Sequence, residues 1–202
     1  MSEHSKPAPT AVPVHELIRN RWSPRAFAPR AIEPEKLRAL FEAARWAASC
    51  ANAQPWSFIV ATKDDAANFA RVLGILVELN QAWAKHAPAL ALSVARMNFD
   101  NGKPNRHALH DVGLAAANLA LEATSLGLQV HPMAGIDPEK GKKEFEIPEG
   151  YEVVAGFAIG YPGDPAGLPD PLRQRELGAR ERKPASSFVF TGKWGTASPI
   201  VS

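Results

Sequence analysis

Cysteine is almost absent from this 202-residue chain, which contains Cys50 and no other. An internal disulfide is therefore excluded, and because no Cys, His or Asp stands near Cys50 at the spacing of metal ligands, no zinc site is indicated. A reactive thiol would need a neighbour that lowers its pKa. We therefore interpret Cys50 as a small residue at a closely packed position rather than as a nucleophile.

The chain also lacks a large excess of charge of either sign. It contains 23 Lys and Arg and 21 Asp and Glu, and its formal net charge is +2. A field this weak argues against nucleic acid or an anionic membrane as a partner, so any anion must be bound by a local group of cations. No apolar stretch has the length of a signal peptide or a membrane span. We therefore expect a cytoplasmic protein.

Several motifs of nucleotide-binding and hydrolytic enzymes are missing as well. The chain has no GxGxxG after a strand, no GxxxxGK and no GxSxG. A Rossmann dinucleotide site, a P-loop and a serine-hydrolase elbow are therefore not indicated. His107 and His110 lie three positions apart without a third partner, which is not a metal site.

Helical and extended patterns alternate along the chain, without an internal repeat, and predict a sheet with helices packed on it. Residues 1–12 have no apolar period and are predicted to be a mobile leader, followed by a single domain over 13–202 with a C-terminal extension. Residues 162–187 are predicted to be irregular. The predicted helices lie near 14–18, over 34–49, from Asp64 or Asp65, over 107–126 and from Asp137, and the strands over 56–62, 87–97, 128–132 and 151–162.

The helix predicted over 107–126 is apolar almost all round and stops before Gly127. Such a helix should be buried on most sides. In so small a domain this suggests the core of a dimer.

Two basic clusters and one polar corner are candidate binding elements. RWSPRAF places Arg21, Ser23 and Arg25 in one loop, and RERKP places Arg180 and Arg182 in another. Guanidinium groups so close together can bind a phosphate or carboxylate, although each cluster alone could be a solvated turn. The stretch SCANAQPW, residues 49–56, offers polar side chains at the start of a strand, where they could bind a flat heteroaromatic ligand or simply form a turn.

Taken in order, these segments resemble the nitroreductase family of FMN-dependent oxidoreductases. The family motifs RRSxRxF, PSSxNxQPWxF and KxRxP are similar to RWSPRAF, ASCANAQPWSF and RERKP. Two further motifs are matched by Asn80, ahead of an Ala-Pro strand, and by GLQVHPMAGID, residues 127–137. The likeness spans roughly residues 13–185.

This resemblance implies an α+β protein with a mixed, mainly antiparallel sheet flanked by helices, in an intertwined two-fold homodimer with FMN at the subunit interface. The phosphate would be held by Arg21, Ser23, Arg180 and Arg182, and the pyrimidine edge would lie near Arg25 and Asn80. The partner subunit would contribute Ser49, Cys50 and Asn52, and the backbone of Pro132, Met133, Ala134 and Gly135 would face nitrogen-5. Trp22 and Ala48, where the family has Arg and Pro, complete the expected cofactor-binding set.

The resemblance also implies ping-pong turnover, in which NADH or NADPH reduces FMN and a nitroaromatic, a quinone or a similar electron-poor acceptor reoxidises it. No side chain is required as an acid or base. Alternatives are another flavin chemistry on the same scaffold, such as enal or semialdehyde reduction, dehalogenation or flavin breakdown, and a non-catalytic flavin-binding module. The departures at Trp22, Ala48, Cys50, Trp83 and Ala134 bear on the choice of substrate.

Overall fold

The computed structural model describes residues 5–201, so the predictions for residues 1–4 and for Ser202 lie outside the described residues. The helices are α1 Glu16–Asn20, α2 Pro34–Arg45, α3 Ala66–Leu73, α4 Glu78–Ala84, α5 Ala108–Ser125, α6 Pro138–Glu144 and α7 Asp170–Leu177. The strands are β1 Trp56–Thr62, β2 Ala89–Arg96, β3 Gln129–Met133 and β4 Tyr151–Gly160.

The four strands form one sheet in the order β1-β2-β4-β3, and its three pairings are all antiparallel. Leu90 and Leu92 of β2 belong to a core cluster on one face with α3 and α4, whereas Ala89 and Ala91 belong to a cluster on the other face with α2 and α5. Because Ala89 and Ala91 have small side chains, α5 can lie close to this face of the sheet. The predicted α+β fold with a mainly antiparallel sheet is confirmed.

Local sequence signals explain most element boundaries. Asp65 caps α3 by accepting a hydrogen bond from the Asn68 N–H at 3.1 Å, and Asp137 caps α6 by accepting one from the Lys140 N–H at 3.0 Å. A carboxylate at this position satisfies a backbone donor that the helix leaves unpaired. The strand predicted over 56–62 is confirmed as β1 without a change of boundary.

Two sequence predictions about helices are wrong, and one further helix has no counterpart among the predictions. Helix α2 ends at Arg45 rather than near Ser49, because the Trp46 N–H turns back to the carbonyls of Ala43 and Ala44. Helix α4 was not predicted, and α7 lies within the stretch predicted to be irregular. Helix α7, DPLRQREL, lacks an apolar face, so periodicity could not detect it.

Helix α5 differs from its prediction in one respect. Its inner residues are buried as expected, but Leu109 and Leu114 are exposed on the outer side. Gly113 lies between them, and an added Cβ at this glycine would meet nothing within 4 Å. In the single chain, α5 therefore has an open face of apolar and small residues.

Residues 5–12, part of the predicted mobile leader, form neither helix nor strand. Two hydrogen bonds tie the backbone of this segment to the chain: the Ala8 N–H donates to the Arg19 carbonyl at 2.8 Å, and the Arg180 guanidinium donates to the Lys6 carbonyl at 2.7 Å. The mobility of the segment stays a prediction. Within residues 5–201, no helix is both long and apolar enough to span a bilayer.

Candidate functional site

A cavity of about 340 Å³ lies between the loop that follows α1 and the segment that follows α7. We call it the basic cavity, because six cations and two carboxylates are among its lining residues. The cations are Lys6, Arg21, Arg25, Arg175, Arg180 and Arg182, and the carboxylates are Glu176 and Glu181. The structure thus brings together the two basic clusters, which are about 160 residues apart in sequence and which spacing alone could not join.

The positive charge of the basic cavity is not neutralised by ion pairs. Among residues 5–201, none of its six cations forms a salt bridge. Burial and the nearby Arg182 lower the pKa of Arg21, and burial, Arg21 and Arg182 lower the pKa of Arg180. Arginine nevertheless stays protonated at physiological pH. These cations repel one another, and a bound anion would relieve the repulsion.

The buried carboxylate of Glu176 shapes the cavity instead of pairing with its arginines. It accepts hydrogen bonds from the backbone N–H of Arg25, at 2.9 and 3.0 Å to its two oxygens, and from that of Ala26 at 3.1 Å. This carboxylate therefore fixes the course of the RWSPRAF loop. Sequence reasoning missed it, since the pattern of α7 gives no sign that one of its acids points inward.

The arginines of the basic cavity differ in how many guanidinium N–H groups are still free to bind a ligand. Arg180 donates to the backbone carbonyls of Lys6 at 2.7 Å, Arg19 at 3.0 Å and Arg21 at 2.8 Å, which uses three of the five N–H donors of a guanidinium. Within residues 5–201, the Arg21 guanidinium donates one hydrogen bond, to the Ser23 Oγ at 3.4 Å. The Arg182 guanidinium donates one to the Glu181 carbonyl at 2.7 Å. Arg21 and Arg182 are therefore freer to bind an anion.

A second group of predicted residues meets at what we call the Gly135 corner. The Gly135 carbonyl accepts hydrogen bonds from the Val77 N–H and the Asn80 Nδ2, both at 3.0 Å. A Cβ at position 135 would lie 2.6 Å from Asn80 Nδ2 and 2.8 Å from Val77 Cγ2, so only glycine fits there. Within residues 5–201 the Gly135 N–H has no hydrogen-bond acceptor.

The neighbours of Gly135 differ in what they can contribute. Pro132 and Ala134 are exposed, whereas the Met133 side chain is buried in the core. Met133 can therefore face a ligand only through its backbone.

His131 and Trp83 connect the Gly135 corner to the basic cavity. Burial lowers the pKa of His131 to about 4, so its ring is neutral at pH 7, and its Nδ1 donates to the Pro24 carbonyl at 2.8 Å. The Trp83 ring lies 4.5 Å from the His131 ring, and the Arg25 guanidinium lies 6.0 Å from the Trp83 ring. The loop of Arg25, helix α4 and strand β3 are thus joined by contacting side chains.

The polar corner before β1, which we call the elbow and which comprises residues 49–54, has an unusual backbone. Ala51, Asn52 and Gln54 have φ angles of 50°, 52° and 45°. Non-glycine residues in this region cost about 1–3 kcal/mol each, and they cluster at functional sites. Two hydrogen bonds hold the elbow in this form: the Ser49 Oγ accepts from the Gln54 N–H at 3.0 Å, and the Asp111 Oδ2 accepts from the Cys50 N–H at 3.0 Å.

The elbow is separate from the other two groups within one chain. Apart from its internal bonds, it is held by Asp111 and by Arg96, whose Nη2 donates to the Ala53 carbonyl at 3.0 Å. No hydrogen bond in residues 5–201 joins the elbow to the basic cavity or to the Gly135 corner. The structure therefore brings together two of the three predicted groups of site residues.

We expect Asp111→Ala to destabilise the fold by about 1–3 kcal/mol, because the Cys50 N–H would lose its partner and the buried carboxyl would leave a void. Asp111 is only 2% exposed and is one of two acids on the apolar helix α5, a signal that sequence reasoning overlooked. Urea denaturation measures the change, with Asp64→Ala, which removes the same carboxyl group from an exposed site before α3, as the control. Equal unfolding free energies in the two variants would contradict the role of Asp111.

The fold and the site define an α+β protein that has a cavity lined by six cations and, within residues 5–201, a backbone N–H of Gly135 without an acceptor. The model of the nitroreductase family matches residues 18–161, and the chain belongs to that family.

The chain is also similar to individual proteins. A solved structure described as an oxidoreductase containing FMN shares 37% identity and a TM-score of 0.87, over 93% of this chain and 96% of that one. A Stenotrophomonas maltophilia protein, provisionally named an NADH dehydrogenase/NAD(P)H nitroreductase, is 30% identical over 78% of this chain and 89% of its own length. An uncharacterised 15.4 kDa protein of Mycolicibacterium smegmatis is 38% identical over 66% of this chain and 90% of its own length.

Proposed function

We propose that the protein is an FMN-dependent oxidoreductase that uses NADH or NADPH to reduce nitroaromatics, quinones or similar electron-poor acceptors. The observation that carries this proposal is the basic cavity, whose six cations form no salt bridge with a carboxylate of residues 5–201. Membership of the nitroreductase family and the similarity to an FMN-containing oxidoreductase support the flavin, and the named relative supports NAD(P)H.

The residues present fit the phosphate of FMN. A phosphate monoester carries a charge between about −1.5 and −2 at pH 7 and has three strong acceptor oxygens. Arg21 and Arg182 have free guanidinium donors, and the Ser23 hydroxyl lies beside Arg21. These three side chains would hold the phosphate, while Arg180 keeps the cavity in shape through its carbonyl contacts.

The Gly135 corner fits the reactive side of a flavin ring. The free Gly135 N–H would face nitrogen-5, and Asn80 is oriented beside it by its bond to the Gly135 carbonyl. Arg25 would stand at the pyrimidine edge, where a guanidinium stabilises negative charge by a charge-assisted hydrogen bond. The neutral His131 ring holds the Arg25 loop to β3 without adding a charge.

When bound, FMN supplies the redox chemistry, accepting a hydride from NAD(P)H and passing it to the acceptor in a second half-reaction. The chain's own residues bind the cofactor, orient it and stabilise its charge. No residue acts as an acid or base in this proposal. The short connection from 97 to 107 leaves little room for a large lid and favours small or planar acceptors.

Anaerobic spectroscopy tests the function. The purified protein should be yellow, NADH or NADPH should bleach it, and a nitroaromatic or a quinone should restore the colour. A panel that also contains enals and halogenated aromatics would distinguish the other flavin chemistries. A yellow protein that neither nucleotide bleaches would contradict the proposal and favour a flavin-binding module.

We also propose that the protein acts as a two-fold homodimer in which the elbow of each subunit completes the partner's flavin site. Helix α5 has an open face formed by Leu109, Gly113 and Leu114. Glycine inside a helix costs about 0.5–1 kcal/mol, and no close neighbour among residues 5–201 explains Gly113, whereas close approach of a second helix would. The C-terminal extension also leaves large apolar side chains exposed, with Trp194 at 93%.

We expect Leu114→Glu to dissociate the dimer and to release FMN, because the carboxylate would be buried without a partner. Light scattering coupled to size exclusion measures the mass, and absorbance measures the FMN content. Ala67→Glu, at an exposed site of α3 on the opposite face of the sheet from α5, adds the same single negative charge and is the control. An unmodified chain that ran as an FMN-loaded monomer of 21.8 kDa would contradict the dimer and the shared site.

A further inference from the structure

Two cations that line the basic cavity, Arg175 of α7 and Lys6, lie outside every motif of the sequence analysis, and Lys6 also lies outside the helices and strands. Lys6 belongs to the segment before α1, and the family match begins only at residue 18. Its backbone is fixed, since the Lys6 carbonyl accepts a hydrogen bond from Arg180 at 2.7 Å and the Ala8 N–H donates to the Arg19 carbonyl at 2.8 Å. The segment therefore crosses the rim of the cavity in a defined position.

The side chain of Lys6 is also held. Its ammonium group donates to the backbone carbonyl of Glu176 and lies 5.7 Å from the centre of the Trp22 ring. A lysine ammonium has three N–H donors, so two remain for a ligand. Both contacts belong to elements that shape the basic cavity.

The charges around Lys6 show that it belongs to the same cluster as the arginines. Burial lowers the pKa of Lys6, Arg180 and Arg25 lower it further, and Glu176 acts in the opposite direction. Lys6 forms no salt bridge with a carboxylate oxygen within residues 5–201. Its charge therefore adds to the unneutralised potential of the cavity.

We propose that Lys6 is an additional phosphate-binding residue of the cofactor site, supplied by the segment before α1. The inference rests on the proposed function, since it takes the anion to be the phosphate of FMN. It gives residues 5–12 a role: they carry a cation to the rim of the cavity and are held there by Arg180.

The test compares FMN with riboflavin, which has the same ring system but no phosphate. Lys6→Met keeps most of the aliphatic stem and removes the charge. We expect its affinity for FMN to fall by roughly tenfold, as for the loss of one charge-assisted hydrogen bond, while its affinity for riboflavin stays unchanged. Flavin fluorescence titration of the apoprotein measures both constants.

Two further variants make the test specific. Lys183→Met removes a charge from the nearby RERKP segment, at a residue that does not line the basic cavity, and should leave both affinities unchanged. Lys6→Arg restores the charge and should restore most of the FMN affinity even if the packing on Trp22 changes.

Three outcomes would overturn the inference. Unchanged FMN affinity in Lys6→Met would show that the ammonium group does not reach the phosphate. Equal losses for FMN and riboflavin would show that Lys6 has only a packing role. Binding of neither flavin by the unmodified protein would overturn the proposed function itself, which the first two outcomes leave intact.

Discussion

Replacing Arg21 by alanine should weaken FMN binding by roughly tenfold to a hundredfold. The guanidinium of Arg21 lines the basic cavity, is partly buried and has the Ser23 hydroxyl as its hydrogen-bond partner. Its loss would remove a charge-assisted contact worth about 1.5–3 kcal/mol. Arg182→Ala should have a similar effect, since within residues 5–201 that side chain donates a hydrogen bond only to the neighbouring Glu181 carbonyl.

Equilibrium titration of the apoprotein with FMN measures this effect, and the melting temperature without flavin shows whether the fold is intact. Arg106→Ala removes the same charge from an exposed site before α5 and serves as the matched control. Because repulsion among the cations would be relieved, the flavin-free Arg21 variant should melt no lower than the parent. Unchanged FMN affinity in both Arg21→Ala and Arg182→Ala would show that the basic cavity does not bind the phosphate.

Replacing Gly135 by alanine should abolish most turnover. The new Cβ would lie 2.6 Å from Asn80 Nδ2 and 2.8 Å from Val77 Cγ2, distances at which the corner must open. Overpacking of this kind costs about 1–3 kcal/mol. Relief of the close contacts would displace both the Gly135 N–H and the Asn80 side chain. We expect the rate of flavin reduction by NAD(P)H to fall by roughly tenfold to a hundredfold, in line with that energy.

Stopped-flow absorbance at matched FMN occupancy measures the reduction rate, and a melting curve reports the packing cost. Gly167→Ala is the control, because an added Cβ there meets nothing within 4 Å and the backbone angle is ordinary. A Gly135→Ala protein that melted lower but reduced its flavin at the parent rate would place Gly135 in the packing of α4 and remove it from the flavin site.

Sequence patterns were sufficient where the determining contacts are local. The alternation in WSFIVAT predicted β1, and Asp65 and Asp137 marked the starts of α3 and α6. Helix α7 could not be predicted because it has no apolar stripe: its buried residue is a carboxylate, Glu176, and Leu172, which packs against the core, is only partly buried.

The residues of the site show the same difference between those that sequence patterns identify and those that depend on contacts distant in sequence. The motif residues were identified through the family resemblance, and the structure brings the two basic clusters into one cavity. The residues that support them, including Lys6, Asp111, His131 and Glu176, make contacts with residues that are distant in sequence. No periodicity or spacing rule predicts contacts between residues so far apart in sequence, and only the three-dimensional structure shows them.

The backbone of the elbow has a consequence for protein engineering. Ala51 adopts a left-handed conformation at φ 50°, which glycine adopts without penalty. A selection for heat resistance alone would therefore favour Ala51→Gly, and the gain would come with a more mobile elbow. Under the proposed shared flavin site, thermostability and cofactor binding are opposed at this position, so a screen for durable variants should require retained flavin colour as well as survival of heating.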